Sequence, residues 1–545
     1  MSQFYIPSKL PRKVHRTLHE QNAFGGLEDP TGATGDKCRA MQNISPVSYP
    51  TLSVRRGWQR YAGILPPWSQ AWGMIYHDQC LYISTGATFC RFDGQKIQSL
   101  AVLSGGEAHM AVLDNKIYIF PDKKVYDIEK KTLQSMGVMV TLGNDTSSHQ
   151  NILSSSSIDF TSAGFAVGDG IKLTVNTALS GVTTTKYYVI REISQGEMTL
   201  DRPVEMGLYG GVLEREVPDL QNICVCQNRL WGYDGQHIYA CATGNPRHWR
   251  MSDMDEDSSG STLQGDNAPV CLTSPMAGDF EAVTSWQDGV VLFRQDAIVK
   301  VLGSRAGLYT LATIPTVGVA HGEAKSLCCL DGWLYYMSGH GVYRYDGGYP
   351  QPLPDIPQTA LQNTTGGSDG RCYYLAGTNE QGEAELYAYD PDSQSWYTQE
   401  DVDISYMAQQ NHTLWMITKD GALLHTGGTW GMDTHIGQDT AEQNQTIALQ
   451  ASVTFCDEVG CILEGVRLHK LYLSCHVAEK SQVKVLIAYD GDGDYREIGC
   501  VSGAYQGWAE MPLPAVRCRY YHLKLEMIGD VRVYALHKAY ERGEQ

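Results

Sequence analysis

The sequence predicts an all-β protein organised around a β-propeller, and three observations point there. Aromatic usage is skewed to 32 Tyr and 11 Trp against 10 Phe, alongside 56 Gly, in a chain of 545 residues. Tyr and Trp suit pleated surfaces, and Gly suits the tight turns between them. A hairpin unit also recurs: a polar turn, a short aromatic-rich strand, a second turn and another short strand. Its spacing is the third observation. Turn residues at 78, 114, 227, 287, 330, 368 and 410 lie 36, 113, 60, 43, 38 and 42 residues apart. Four of these gaps approach the ~40–45-residue period of a propeller blade.

The units read "HDQCLYISTGATFCRFDG" from His77, "LDNKIYIFPDKKVYDIEK" from Leu113 and "CQNRLWGYDGQHIYACATG" from Cys226. They continue with "WQDGVVLFRQDAIVKVLGS" from Trp286, "LDGWLYYMSGHGVYRYDGG" from Leu330, "SDGRCYYLAG" from Ser368 and "QNHTLWMITKDGALLHTGG" from Gln410. Each opens on Asp-Gly, Asp-Asn, Gln-Asn or a similar pair that tolerates positive φ, as a hairpin turn requires. Apolar and polar positions then alternate, the pattern of a half-buried strand. About seven blades follow, within a range of six to eight. Tyr335, Tyr336, Tyr343, Tyr345, Tyr373, Tyr374, Tyr387 and Tyr389 are expected to pack blade against blade.

Around this core the chain divides in order. Residues 1–69 form an extended basic arm and an irregular lead-in, with Lys9, Arg12, Lys13 and Arg16 set against Glu20. That arm is a candidate contact with a neighbouring subunit or another acidic partner. The propeller occupies 70–140 and 217–432. The long gap holds an insertion over 141–216 whose five or so short strands describe a small β-barrel or sandwich; within it Val167-Gly168-Asp169-Gly170-Ile171 reads as a turn into a strand. The gap of 60 residues holds the acidic, Ser/Gly-rich loop "MDEDSSGSTLQGD". Residues 447–545 carry longer alternating strands, expected to form a β-sandwich.

The formal net charge is -19. Such a surface argues against a nucleic-acid-binding face, which needs clustered Lys and Arg to displace counterions. It does not argue against DNA passing nearby, since an acidic wall repels phosphate and prevents sticking; keeping the protein soluble is the alternative reading. No apolar run reaches the ~20 residues of a membrane helix, and no start resembles a secretory leader. The 15 Cys form no CxxC pairs, which suggests free thiols in a reducing cytoplasm. Motifs for nucleophilic, zinc or phosphate chemistry are missing. His237, His248, His321 and His340 have no paired Cys or carboxylate at useful spacing, so structural roles are expected. Asp490, Asp492 and Asp494 begin like a calcium loop, but Tyr495 and Val501 stand where an EF-hand needs Gly and Glu; a hairpin turn is the better reading. Asp253, Asp255, Glu256 and Asp257 read as a solvated loop. A non-enzyme with no cofactor and no metal is expected.

The stretch "CQNRLWGYDGQHIYACATGNPRHW" resembles a segment of phage neck and tail structural proteins, the family that includes the tail nozzle (tubular protein B) of short-tailed phages and related prophage virion proteins. Arg229, Leu230 and Gly232 match its "Arg-Leu-x-Gly" strand, and Gly244, Asn245, Pro246 and Trp249 match its "Gly-Asn-Pro-x-x-Trp" turn. Cys241 or Ala242 stands near the usual Ser. The lead-in "FGGLEDPTGATGDKCRAMQNISPVSYPTLSVRRG", the units from Ser285 and Thr316, and the terminal "RVYALHKAYERGE" are similar to further segments in the same order. The resemblance implies a virion structural protein assembled in the bacterial host cytoplasm: a homo-oligomeric ring, a hexamer by expectation, below the portal and adaptor, which guides and gates double-stranded DNA through its lumen without specific binding. A receptor-binding or tail-fibre-type protein whose sandwich binds host sugar, a propeller glycosidase and a cytoplasmic propeller scaffold are the alternatives.

Overall fold

A computed structural model describes residues 15–27, 37–61, 71–177, 182–204, 210–251, 267–303, 309–354, 361–400, 402–410, 412–436, 444–456, 458–459, 464–490, 493–514 and 516–544. The protein is all-β: among these residues the helical elements are two 3-10 turns. It divides into two compact units, residues 71–324 and residues 1–70 with 325–545.

Small four-stranded antiparallel sheets recur along the chain, at 71–102 (sheet I), 109–135 (II), 222–273 (III), 282–315 (IV), 328–352 (V) and 362–398 (VI). Each is a meander of four consecutive strands. The pairs His77–Cys80, Leu113–Lys116, Cys226–Arg229, Trp286–Gly289 and Leu330–Trp333 close two-residue hairpins. Both central residues of every one have φ between +47° and +80°, the type I′ geometry whose twist matches the strands it joins. The turn at Ser368 differs. Ser368 pairs with Tyr373, and the longer loop is held by Asp369 Oδ1, which accepts from Arg371 N (3.0 Å) and Cys372 N (2.8 Å).

The alternation expected of half-buried strands does not hold at the second strand of several sheets. Cys80–Thr85 is buried throughout, and Arg229–Asp234, Trp333–Ser338 and Tyr373–Thr378 are buried at all but one position each. Sheets stacked on both sides bury both faces of such a strand, so a continuous apolar run replaces alternation. Within 71–324 the first strands of sheets I, II, III and IV follow one another side by side, and within the other unit the first strands of sheets V and VI and the strand Ile404–Gln410 do so. Part of the tyrosine ladder packs between sheets V and VI as expected: Tyr335 of sheet V meets Tyr373 at 5.2 Å and Tyr389 at 6.1 Å, both of sheet VI, while Tyr336 and Tyr343 stack within sheet V.

Sheet VII is completed from far upstream. Ile404–Gln410, Thr413–Thr418 and Leu423–Trp430 are joined by Arg56–Tyr61, then by Met432–Ile436 and Gln445–Ala448. The lead-in also supplies the C-terminal sandwich, so that sandwich is not made of 447–545 alone. His15–Gln21 and Leu52–Ser53 pair with the final strand Val531–Glu544, and Cys38–Gln42 pairs with Gln450–Phe455 in the second sheet. Sheets of five and six strands result, enclosing a core that includes Leu471, Leu473, Val483, Val485, Leu523, Leu525 and Val533. Of the candidate arm, Lys9, Arg12 and Lys13 lie outside the described residues. Arg16 lies on the strand His15–Gln21, its backbone opposite Glu541.

The insertion spans Val138–Arg215 rather than 141–216, and has seven strands rather than five. They form one continuous antiparallel sheet, curled around a core of Leu142, Leu153, Phe160, Phe165, Ile171, Leu173, Tyr188, Ile190, Met198 and Leu213. Its end strands, Val138–Leu142 and Ser147–His149, do not pair with each other.

Gly57 shows how tightly the returning strand is held. A Cβ there would lie 1.6 Å from the carbonyl oxygen of Met432, a backbone atom that cannot move without breaking the sheet. Gly57→Ala is expected to destabilise by about 2–4 kcal/mol, in the range of severe overpacking. Urea unfolding followed by tryptophan fluorescence checks this.

Candidate functional site: a domain junction built on Asp169

The insertion meets sheet III through the turn that follows Leu230 and Gly232. Gly244 has φ +67°, and its N–H reaches Asn228 O at 2.7 Å. Asn245 N bonds to Ala242 O (2.9 Å), and Ala242 N bonds to His248 O (2.9 Å). Trp249 Nε1 closes the turn on Pro246 O at 2.7 Å. Beneath it Arg229, buried, donates from Nη1 to Cys241 O (2.7 Å) and Ala268 O (2.6 Å). Leu230 N donates to Cys241 Sγ at 3.1 Å, so the cysteine near the expected serine position is itself an acceptor. Gly232 needs its missing side chain, because a Cβ would stand 2.7 Å from Asn222 O. The seven motif residues thus build one corner.

That corner grips the insertion. Asn245 Nδ2 donates to Gly168 O at 2.7 Å. Arg247 donates from Nε to Asp169 Oδ1 (2.5 Å) and from Nη2 to Asp169 Oδ2 (2.9 Å) and Gly164 O (2.7 Å). Asp169 is fully buried and also accepts from Ala166 N at 3.0 Å and from Arg215 Nη1. Arg215 reaches back to Met136 O through Nε (2.6 Å) and to Gly164 O through Nη1 (2.8 Å). One carboxylate therefore links the entry to the insertion, its internal turn, its exit strand and sheet III. Two guanidinium groups share it, and burial pulls the Arg215 pKa down while Asp169 opposes that pull.

His248 seals the junction. Its ring occupies the place a side chain at Gly170 would take, with Cδ2 2.2 Å from a notional Cβ. Burial pushes its pKa down to about 4, against the pull of Asp201 and Asp169. Asp169, Arg215 and Arg247 carried no sequence signal beyond the turn at 167–171, since a buried Asp in an Asp-Gly turn is written like an exposed one. Of the four histidines expected to be structural, His321 sits at the surface with Nδ1 3.0 Å from Glu281, and His237 has Nδ1 3.1 Å from Asp234.

Two cavities lie between sheets III and IV. One of about 930 Å³ is lined by Gln227, Arg229, Asn267, Trp286, Asp288 and Tyr309 among others. The other, about 670 Å³, is lined by Asp279, Glu281, Asp296, Arg294 and His321; Glu281 also accepts from Gln295 at 3.2 Å. Among the described residues no group of three or more His, Cys, Asp or Glu is gathered as a metal site, and none of the fourteen described cysteines is joined in a disulfide. Asp490 is a turn residue as expected, its Oδ1 accepting from Arg519 N (2.6 Å) and Tyr520 N (3.2 Å). The loop of Asp253, Asp255, Glu256 and Asp257 lies outside the described residues.

No protein-family model matches the chain, and no curated protein sequence does. Solved structures give distant likenesses. The extracellular domain of a hybrid two-component system from B. thetaiotaomicron is 11% identical with a TM-score of 0.34, covering 69% of this chain. The chain spans 40% of that domain's own length. BamB from Moraxella catarrhalis is 10% identical with a TM-score of 0.27, over 65% of this chain and 92% of BamB. Sqt1 from Saccharomyces cerevisiae is 8% identical with a TM-score of 0.30, over 67% and 97%.

Two outcomes are expected at the junction. Asp169→Ala leaves two guanidinium groups without their buried partner and should cost about 3–5 kcal/mol; limited proteolysis would then cut the insertion boundaries near 136 and 216 faster than in the parent chain. The second outcome concerns pH. His248 stays neutral when folded, whereas the unfolded chain takes up its proton below about pH 6.5. Stability contributed here is therefore intact above about pH 6.5 and falls as the pH drops toward 4, by about 3 kcal/mol in all. His248→Gln should flatten that part of the stability–pH curve, measured by urea unfolding at a series of pH values.

Proposed function

We propose that this chain is a structural subunit of a phage neck or tail assembly, a nozzle-like part rather than an enzyme. In this reading sheets I to VII are the seven blades of one propeller, closed by Arg56–Tyr61 in the last blade, with the inserted sheet and the terminal sandwich as appendages. The observation that carries the reading is the double use of the Gly-Asn-Pro-x-x-Trp turn. The turn that bears the resemblance to phage neck and tail proteins also fixes the inserted domain, through its motif residue Asn245 and through Arg247 at an unmatched position between Pro246 and Trp249. A part that must hold its shape under load from moving DNA needs its appendages locked by buried, multiply bonded contacts, and Asp169 supplies one.

The net charge of -19 fits a lumen along which phosphates slide without adhering. Copies of the chain would form a homo-oligomeric ring, expected to be sixfold, beneath portal and adaptor proteins in the virion, and the basic arm would tie neighbours together. Electron microscopy of the purified protein tests this. Rings of uniform symmetry with an acidic lumen are expected. A stable monomer at micromolar concentration, or a ring whose lumen is lined by Lys and Arg, would overturn the reading.

A further inference from the structure

The outer face of the five-stranded sandwich sheet exposes aromatic side chains on neighbouring strands. Trp508 is 50% exposed, Tyr534 40% and Leu18 72%. All three point away from the core, since their strand neighbours Met511, Val533 and Gln21 are buried. The ring of Trp508 lies 4.3 Å from that of His537, which reaches Glu20 at 2.9 Å. Between them Tyr472 stands opposite both Glu510 and His537, and its hydroxyl accepts from Lys470 Nζ at 3.2 Å. Trp508 and Tyr534 sit on strands that flank Glu464–Val477 on either side, so roughly 10 Å separates the two strands.

Charge on this face is cancelled locally. Lys470 faces Glu510 at 3.9 Å, and Arg532 faces Asp530 at 3.6 Å. On a chain of net charge -19, a neutral aromatic platform does not complement a nucleic acid or a strongly charged protein. Exposed ring faces beside paired donors and acceptors complement the C–H faces and hydroxyl groups of an uncharged sugar chain. We propose that the outer face of this sheet, centred on Trp508 and Tyr534, binds a neutral polysaccharide. The proposal stands apart from the ring reading above, since a monomer can carry the same face.

Affinity gel electrophoresis of the full chain tests it, in gels cast with dextran or galactomannan and, separately, with polygalacturonate. A neutral polysaccharide is expected to retard the parent chain. Trp508→Ala should weaken that retardation about ten-fold, equivalent to about 1.4 kcal/mol, and Trp508→Phe should keep part of it; Tyr534→Ala should weaken it as well. Unchanged melting temperatures show that these exposed positions do not support the fold. The proposal is overturned if no neutral polysaccharide retards the parent chain, if polygalacturonate retards it more strongly, or if the Trp508→Ala, Tyr534→Ala double variant is retarded as before. A drop in sedimenting mass on Trp508→Ala would also overturn it, making the face a contact between copies of the chain.

Discussion

The carboxylate of Asp169 is the constraint on which the arrangement of residues 71–324 depends. A carboxylate removed from water carries a desolvation cost of several kcal/mol, offset only by complete and well-aligned partners. Two guanidinium groups and the Ala166 amide provide them. Each arginine also donates to a carbonyl on a different segment. Displacing the insertion therefore breaks several charge-assisted bonds at once and leaves like charges facing one another. The interaction adds less to net stability than to uniqueness: an apolar contact of the same area would allow sliding, whereas bidentate geometry fixes position and angle.

The other unit uses the same device with the charges exchanged. Arg55, buried, donates from Nε to Asn43 Oδ1 (2.9 Å) and lies 3.2 Å from both Glu400 and Asp433. Its guanidinium also sits 3.8 Å from the Trp58 ring centre, while Asn43 Nδ2 reaches Gln450 O at 2.9 Å. The lead-in, sheet VII and the sandwich thus converge on one cation. Burial lowers the Arg55 pKa, and the two carboxylates counter it. In both places a single buried ion, ringed by opposite charge and amide groups, stands at a crossing of chain segments that no apolar core joins alone.

The repeated hairpins were legible because their chemistry is local. A type I′ turn needs positive φ at two adjacent residues, so Asp-Gln at 78–79, Asp-Asn at 114–115 and Gln-Asn at 227–228 announce themselves. The expected half-burial of the strands went astray for a reason just as physical. A strand such as Cys80–Thr85 is buried by its neighbours in space, and those neighbours are distant in sequence. The insertion's strands were undercounted because short ones such as Ser147–His149 and Ile152–Ser154 lie in a Ser-rich run that reads as a loop. At the junction, the Gly-Asn-Pro-x-x-Trp turn stood out by its residue types. Its partner Asp169 did not, since a buried carboxylate and an exposed turn carboxylate share one letter, and only long-range pairing separates them.

The use of the first sixty residues follows from the same distinction. They read as an irregular lead-in because their strands are short and pair with segments up to the C-terminus. His15–Gln21 lies along Val531–Glu544, Cys38–Gln42 along Gln450–Phe455, and Arg56–Tyr61 between Leu423–Trp430 and Met432–Ile436. These pairings close loops of several hundred residues, so their entropic cost falls late, after the local hairpins have formed. Once made, they join the two ends of the chain in one sheet. Strands near both ends of the described chain are thereby held inside sheets, paired with strands that lie hundreds of residues away.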